Sequence, residues 1–117
     1  MLSRSGFCAL AVVMAAAFSS PASAAPANTG CTPEEVAVFN NRVYVRCSAA
    51  VGGVSFFAVP TTDAPHAARM LSLLSTAHVA GRTLTLTYEA DAAAGGGASF
   101  SCAPADCRLL LGARFGK

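Results

Sequence analysis

TTDAPHAARMLSLLSTAHVAGRTLTLTY, residues 61–88, joins the clearest helix of this sequence to its clearest strand. Thr62 or Asp63 is suited to cap the helix, and Pro65 falls in the first turn, where a missing N–H costs nothing. Gly81 is a typical helix end. Apolar side chains recur at helical spacing and predict one buried stripe, made of Ala67, Met70, Leu71, Leu74, Ala77 and His78.

The pattern changes after the helix. In Thr83–Tyr88 apolar and polar residues alternate, which predicts a strand with Leu84 and Leu86 facing inward. The chain beyond it is predicted to form a flexible Ala/Gly loop and a last pair of strands, at Asp91–Gly97, Ser99–Cys102 and Cys107–Phe115.

Upstream of the helix, the alternating runs 36–38 and 43–47 flank Asn40-Asn41. Asparagine tolerates the positive φ of a type I′ turn, so we predict a β-hairpin here. An alternative stays open, because residues 32–35 (TPEE) also have the pattern of a helix start, with a cap, a first-turn proline and a capping-box glutamate.

A third strand is predicted at Val54–Val59, after Gly52-Gly53, and this run is apolar on both faces. The predicted order is therefore β-β-β-α-β-β-β. A single helix between the third and fourth strands is typical of an OB-type barrel. We expect a mostly β, OB-fold-like small barrel with one helix.

The N-terminus predicts export. Arg4 precedes the apolar run Phe7–Phe18, and Ala22-Ser23-Ala24 is a small-x-small cleavage site, so residues 1–24 have the pattern of a signal peptide. The run is shorter than the roughly 20 residues that span a bilayer. We expect a periplasmic or secreted protein without a membrane span. Its mature chain would comprise a flexible lead-in at residues 25–31 and a single OB-like domain at residues 32–117.

Charge argues against nucleic acid as a partner. The whole chain carries eight basic and six acidic side chains, and loss of the leader with Arg4 leaves a formal net charge of +1. The basic residues are scattered, whereas a nucleic-acid-binding protein has a basic patch or stripe. No motif for a cofactor or a metal ion is present, and we expect none to be bound.

Four cysteines remain after the leader is removed: Cys31, Cys47, Cys102 and Cys107. The C-x4-C spacing of the last two fits neither a redox C-x-x-C nor a zinc site, and export favours oxidation. Of the three possible connectivities, 31–47 and 102–107 join neighbouring elements and are predicted. On chain-entropy grounds they contribute about 3 and about 2 kcal/mol, respectively.

Candidate catalytic groups are isolated from one another. His66 and His78 are twelve residues apart, which places them about 120° apart around the helix. Glu34-Glu35 is interpreted as a solvated pair, and the remaining carboxylates as caps or loop residues: Asp63, Asp91, Asp106 and Glu89. We expect no enzymatic activity. A stacking platform for a ring-shaped ligand would require Tyr44, Tyr88 or an exposed phenylalanine.

Three features together resemble a known family. They are Phe57-Ala58-Val59 before the helix, the block STAHVAGRTLTLTY at residues 75–88, and the C-x4-C pair near the C-terminus. They resemble the B subunits of the subtilase cytotoxin and typhoid toxin type, over roughly residues 32–111. Members of that family are OB folds that form ring-shaped pentamers and bind sialylated or related glycans without catalysis. The resemblance implies a homo-oligomer, a pentamer, whose partner is a glycan or another protein.

The resemblance carries no binding residue with it. Pro33 stands where the family has the serine of its glycan pocket, Ala49 where it has a lysine, and Thr85 where it has an arginine. We therefore expect an exported, non-catalytic, oligomeric binding protein whose ligand-binding residues are unknown. Leu73, off the helix stripe, is expected near a subunit contact. The alternative is a small periplasmic structural or protein-interaction domain without carbohydrate binding.

Overall fold

The computed structural model describes residues 26–91 and 97–116. The predicted signal peptide and most of the predicted Ala/Gly loop lie outside these ranges. The described part is mostly β with one helix, as predicted. Its elements in chain order are β1 (Pro26–Cys31), β2 (Pro33–Val38), β3 (Arg42–Val51), β4 (Val54–Pro60), α1 (Ala64–Ala80), β5 (Leu84–Glu89), a 3-10 helix (Gly97–Phe100) and β6 (Cys107–Arg114).

The strands pair in the order β1-β5-β6-β4-β3-β2. All neighbours are antiparallel except β4 and β6, which are parallel. In the described chain no ladder joins β1 to β2, so the barrel expected from the sequence is not closed. These two end strands are nevertheless consecutive and separated only by Thr32, whose hydroxyl lies 2.7 Å from that of Thr83 beside β5.

Residues 26–31 are not the flexible lead-in expected from their composition. They form β1, which pairs along its whole length with β5. Proline, alanine, asparagine and glycine are poor strand formers, and the strand exists because it has a partner. Thr87 donates a hydrogen bond to the Asn28 side chain at 2.7 Å, and Cys31 is buried at the strand's end. The domain therefore begins at β1 and not at residue 32.

The helix prediction is confirmed. Asp63 is the N-cap, and its carboxylate accepts a hydrogen bond from the backbone N–H of His66 at 3.2 Å. Gly81 ends the helix in the left-handed region, with φ of 66°. The buried positions are Ala67, Met70, Leu74 and Ala77, so the predicted stripe was too long: Leu71 is only half-buried and His78, in the last turn, is exposed. In the part of the chain that the structure describes, no helix is long and apolar enough to cross a membrane.

The hairpin around Asn40-Asn41 is also confirmed, but its turn type was predicted wrongly. β2 pairs with β3 from Val38↔Val43 onward, so the helix alternative for residues 32–35 is wrong. Neither asparagine has a positive φ. Positive φ values occur instead in the next turn, at Gly52 (57°) and Gly53 (85°), which join β3 to β4. Glycine adopts this backbone conformation without steric cost.

The strand predicted at Ser99–Cys102 does not form. Residues 97–100 are a 3-10 helix, and the chain then turns into β6. The reason lies in β4, whose Ser55 and Phe56 N–H groups both donate to the carbonyl of Asp106, at 3.2 and 3.1 Å. This contact starts β6 alongside β4 in parallel at Cys107, and the 3-10 helix lies outside the sheet. The observed order is β-β-β-β-α-β-β.

Both predicted disulfides are present. Cys31 is bonded to Cys47 across β1 and β3, and Cys102 to Cys107 across the turn before β6. Their Cα atoms are 5.2 and 5.3 Å apart, which is ordinary disulfide geometry.

The sheet has an apolar cluster on each face. The main core lies between α1 and the sheet and includes Val45, Phe57, Leu74, Leu84 and Leu86. A smaller cluster on the opposite face is made of Ala58, Phe100, Cys102 and Cys107. β4 therefore contributes to two apolar surfaces within one chain, which explains why Val54–Val59 has no polar face.

Candidate functional site

Ala58 and Cys107 of the smaller cluster line a shallow cleft of about 250 Å³ on the face of the sheet opposite α1. We call it the aromatic cleft. Arg42 and Tyr44 of β3 and Phe56 and Ala58 of β4 form its sheet side. Ser101 and Asp106, from the segment between the 3-10 helix and β6, form the opposite side.

Strand alternation places these side chains together. In β3 the residues Val43, Val45 and Cys47 are buried under α1, so Arg42, Tyr44 and Arg46 project from the other face. In β4 Phe57 lies in the main core, whereas Phe56 packs against the smaller cluster. The sheet side of the cleft thus follows from the alternation of side chains between the two faces of β3 and β4.

Three aromatic rings continue from the cleft to the β2–β3 turn. Phe39 stacks on Tyr44 with ring centroids 5.7 Å apart and an interplanar angle of 22°. Tyr44 meets Phe56 edge-on at 5.4 Å. Phe39 is 46% exposed. The Arg42 guanidinium lies 4.3 Å from the Phe39 ring centroid and 5.4 Å from that of Tyr44, within the range of a cation–π contact.

The charges around the cleft are mixed in sign. Arg42 also donates a hydrogen bond to the side-chain oxygen of Asn41 at 3.0 Å, which fixes its orientation. Asp106 faces it from the opposite wall. Further along β3, Arg46 pairs with Glu34 and Glu35 of β2, at 2.5 and 3.3 Å. The solvated Glu34-Glu35 pair predicted from the sequence is therefore an ion-pair partner of Arg46.

The Tyr44 hydroxyl is a donor at neutral pH. Burial raises the pKa of this phenol, and the negative charge of Glu35 and a hydrogen bond with it raise the pKa further. Arg42 and Arg46 act in the opposite direction but less strongly. An ordinary phenol is already protonated at neutral pH, and the Tyr44 O–H group donates to the Glu35 carboxylate, so Tyr44 offers a ligand its ring and not a free O–H donor.

Of the residues considered as a stacking platform, Tyr44 is in the cleft and Tyr88 is not. Tyr88 packs edge-on against Phe57, with centroids 5.0 Å apart, at the margin of the main core. Asp106, interpreted from the sequence as an isolated loop residue, lines the cleft. The alternation of Arg42 and Tyr44 with buried valines is the sequence pattern that predicts the residues on the sheet side of the cleft. Nothing local in the sequence indicated Asp106.

The two histidines lie elsewhere. His66 borders a groove between α1 and β6, and His78 contacts the carbonyl of Pro33 through Nδ1 at 3.2 Å. Among the residues that the structure describes, no three His, Cys, Asp or Glu side chains are grouped so as to hold a metal ion.

No protein-family model, curated protein or solved structure matches this chain. The likeness to the toxin B subunits therefore rests on the sequence features alone. The aromatic cleft is identified from the geometry of this structure.

Proposed function

We propose that the protein is an exported, non-catalytic binding domain of the OB type, and that the aromatic cleft binds a carbohydrate. The observation that carries the proposal is the aromatic cleft, where Tyr44 and Phe56 lie beside Arg42 and Asp106, together with the exposed Phe39 ring that stacks on Tyr44 next to it. Ligand sites in proteins typically combine apolar and aromatic walls with a few polar groups that fix orientation.

The topology supports an OB-type barrel. If β1 and β2 are taken as one strand bent at Thr32, the chain has five strands with the helix between the third and fourth. That bent strand pairs with β3 through one half and with β5 through the other. OB folds are five-stranded, partly open barrels that bind oligosaccharides or oligonucleotides on the second and third strands, between the first and last loops. With β1 and β2 counted as the first strand, the aromatic cleft lies on the second and third strands, β3 and β4, which supports a comparison with that binding face.

The charges favour a sugar over an oligonucleotide. A nucleic-acid site needs a run of positive charge to follow the phosphates. Here Arg46 is paired with Glu34 and Glu35, and Asp106 faces Arg42 across the cleft. A sugar ring places its apolar C–H face on an aromatic ring while its hydroxyls bond to mixed charged and polar groups. This arrangement suits Tyr44 and Phe39.

A glycan array tests the proposal. Mature protein is applied to an array of monosaccharides and oligosaccharides, together with Phe39→Ala and the neighbouring control Val38→Ala. Both side chains are exposed, at 46% and 54%, so neither change should disturb the fold, and circular dichroism verifies this. We expect Phe39→Ala to weaken binding about tenfold or more, as for other aromatic anchors, and Val38→Ala to leave binding unchanged.

Absence of glycan binding by the wild-type protein would refute the carbohydrate proposal and favour the protein-interaction domain. Binding that is equally insensitive to both substitutions would place the ligand outside the aromatic cleft.

Assembly is a separate part of the proposal. By resemblance to the toxin B subunits we propose a homo-oligomer, a pentamer. Val79 on α1 supports a subunit contact, because this large apolar side chain is 86% exposed. Leu73 is less suited to that role than the sequence indicated, since it packs against the main core.

A further inference from the structure

A second cleft, of about 530 Å³, adjoins the aromatic cleft. It lies between the β2–β3 turn, the β4–α1 connection and the 3-10 helix. We call it the amide cleft. Its polar side chains are those of Asn40, Asn41, Thr61, Thr62 and Ser99.

The two clefts share a boundary. Asn40 and Asn41 line the amide cleft, and the next residue, Arg42, lines the aromatic cleft. On the facing segment, Phe100 belongs to the amide cleft and Ser101 to the aromatic cleft. The Asn41 amide donates to the Ser101 hydroxyl at 3.2 Å, so one hydrogen bond marks the boundary.

The chemistry of the amide cleft differs from that of its neighbour. Its lining among the described residues contains amides, hydroxyls and apolar carbon, but no ionisable side chain. Thr61 is already engaged, donating to the carbonyl of Asn40 at 2.9 Å. The side chains of Asn40 and Thr62 are exposed and make no hydrogen bond within the described chain. Neutral donors and acceptors of this kind match the hydroxyls of an uncharged sugar.

Resting on the carbohydrate function proposed above, we infer that the ligand is an oligosaccharide of at least two units that occupies both clefts. One sugar stacks in the aromatic cleft. The next unit crosses the Asn41–Ser101 hydrogen bond and places neutral hydroxyls against Asn40 and Thr62. Because a monosaccharide occupies only the aromatic cleft, the protein binds longer oligosaccharides more tightly than monosaccharides.

Titration calorimetry on the mature, disulfide-bonded protein tests this inference. The ligands come from an array carrying glucose-, galactose-, mannose- and N-acetylglucosamine-terminated chains of one to four units. The strongest binder is titrated beside the monosaccharide that forms its stacked end. The variants are Asn40→Ala/Thr62→Ala, and Ser72→Ala on the exposed face of α1 as a control.

We expect the longer chain to bind about tenfold more tightly than its monosaccharide, the value of two additional hydrogen bonds. The double variant should remove that gain and leave monosaccharide affinity within about twofold of the wild type, whereas Ser72→Ala should change neither value. Equal affinity for both ligands, or a gain that survives in the double variant, would overturn the two-cleft inference while the aromatic site stands. Binding that ignores Phe39→Ala would place the ligand outside the aromatic cleft and so overturn the two-cleft inference as well, whereas no binding at all would refute the carbohydrate function itself.

Discussion

Leu74 is the most informative residue for testing how this domain is held together. It lies in the middle of α1, is fully buried and packs in the main core between helix and sheet. Leu74→Ala removes three carbon atoms from a site with no exposed surface. The lost transfer free energy and the remaining cavity together cost about 2–5 kcal/mol. Since small domains have only about 5–15 kcal/mol of stability, this is a large fraction of the total.

Urea unfolding followed by circular dichroism measures the effect. Val79→Ala is a matched control, because it lies in the same helix, also ends in alanine and removes an apolar side chain that is 86% exposed. We expect the control to change the free energy of unfolding by no more than about 0.5 kcal/mol. In thermal unfolding, Leu74→Ala should lower Tm by about 8 °C or more.

The comparison of the two variants decides the argument. A loss below about 0.5 kcal/mol for Leu74→Ala would mean that the helix stripe does not seal the core. An equal, large loss in both variants would mean that Val79 is covered in solution, which would point to a subunit contact.

Two further predictions concern oxidation and assembly. The exported protein should have no free thiol. Intact mass spectrometry after alkylation without reductant should therefore show a chain that begins at Ala25 and carries zero adducts. A retained Met1 would contradict export, and two or more adducts would contradict the disulfide pairing. If α1 forms a subunit contact, Val79→Glu should lower the sedimentation coefficient and leave the circular-dichroism spectrum unchanged. A wild-type monomer at tens of micromolar would refute the pentamer.

The sequence predicted best those elements whose stability is local. The helix has its cap at Asp63, its end at Gly81 and its buried stripe between them, and each signal lies within a few residues of the feature it determines. The alternating runs of β3 and β5 are similarly explicit. Elements of this kind can be predicted because local propensity and the hydrophobic pattern agree.

The predictions were wrong for segments whose structure depends on hydrogen bonds with residues far away in the sequence. β1 has a composition that disfavours strands and forms because the edge of β5 is available to it. Residues 97–100 form a 3-10 helix instead of a strand, and β6 begins only where the carbonyl of Asp106 accepts hydrogen bonds from the start of β4. In both cases the deciding hydrogen bonds join segments far apart in sequence, and no local pattern reports them.

The candidate site depends both on local sequence patterns and on contacts between distant segments. Its sheet side follows from alternation in β3 and β4, which the sequence displays, but its opposite wall depends on where the Cys102–Cys107 turn lies. That turn packs against the outer face of β4 because Phe56 and Ala58 are apolar there, next to the buried Phe57 of the other face. The two apolar faces of Val54–Val59 thus determine where the cleft forms. A strand apolar on both faces can bury both of them inside one chain, and here the second face leaves Tyr44 and Arg42 half-buried at its margin, where we propose that a ligand binds.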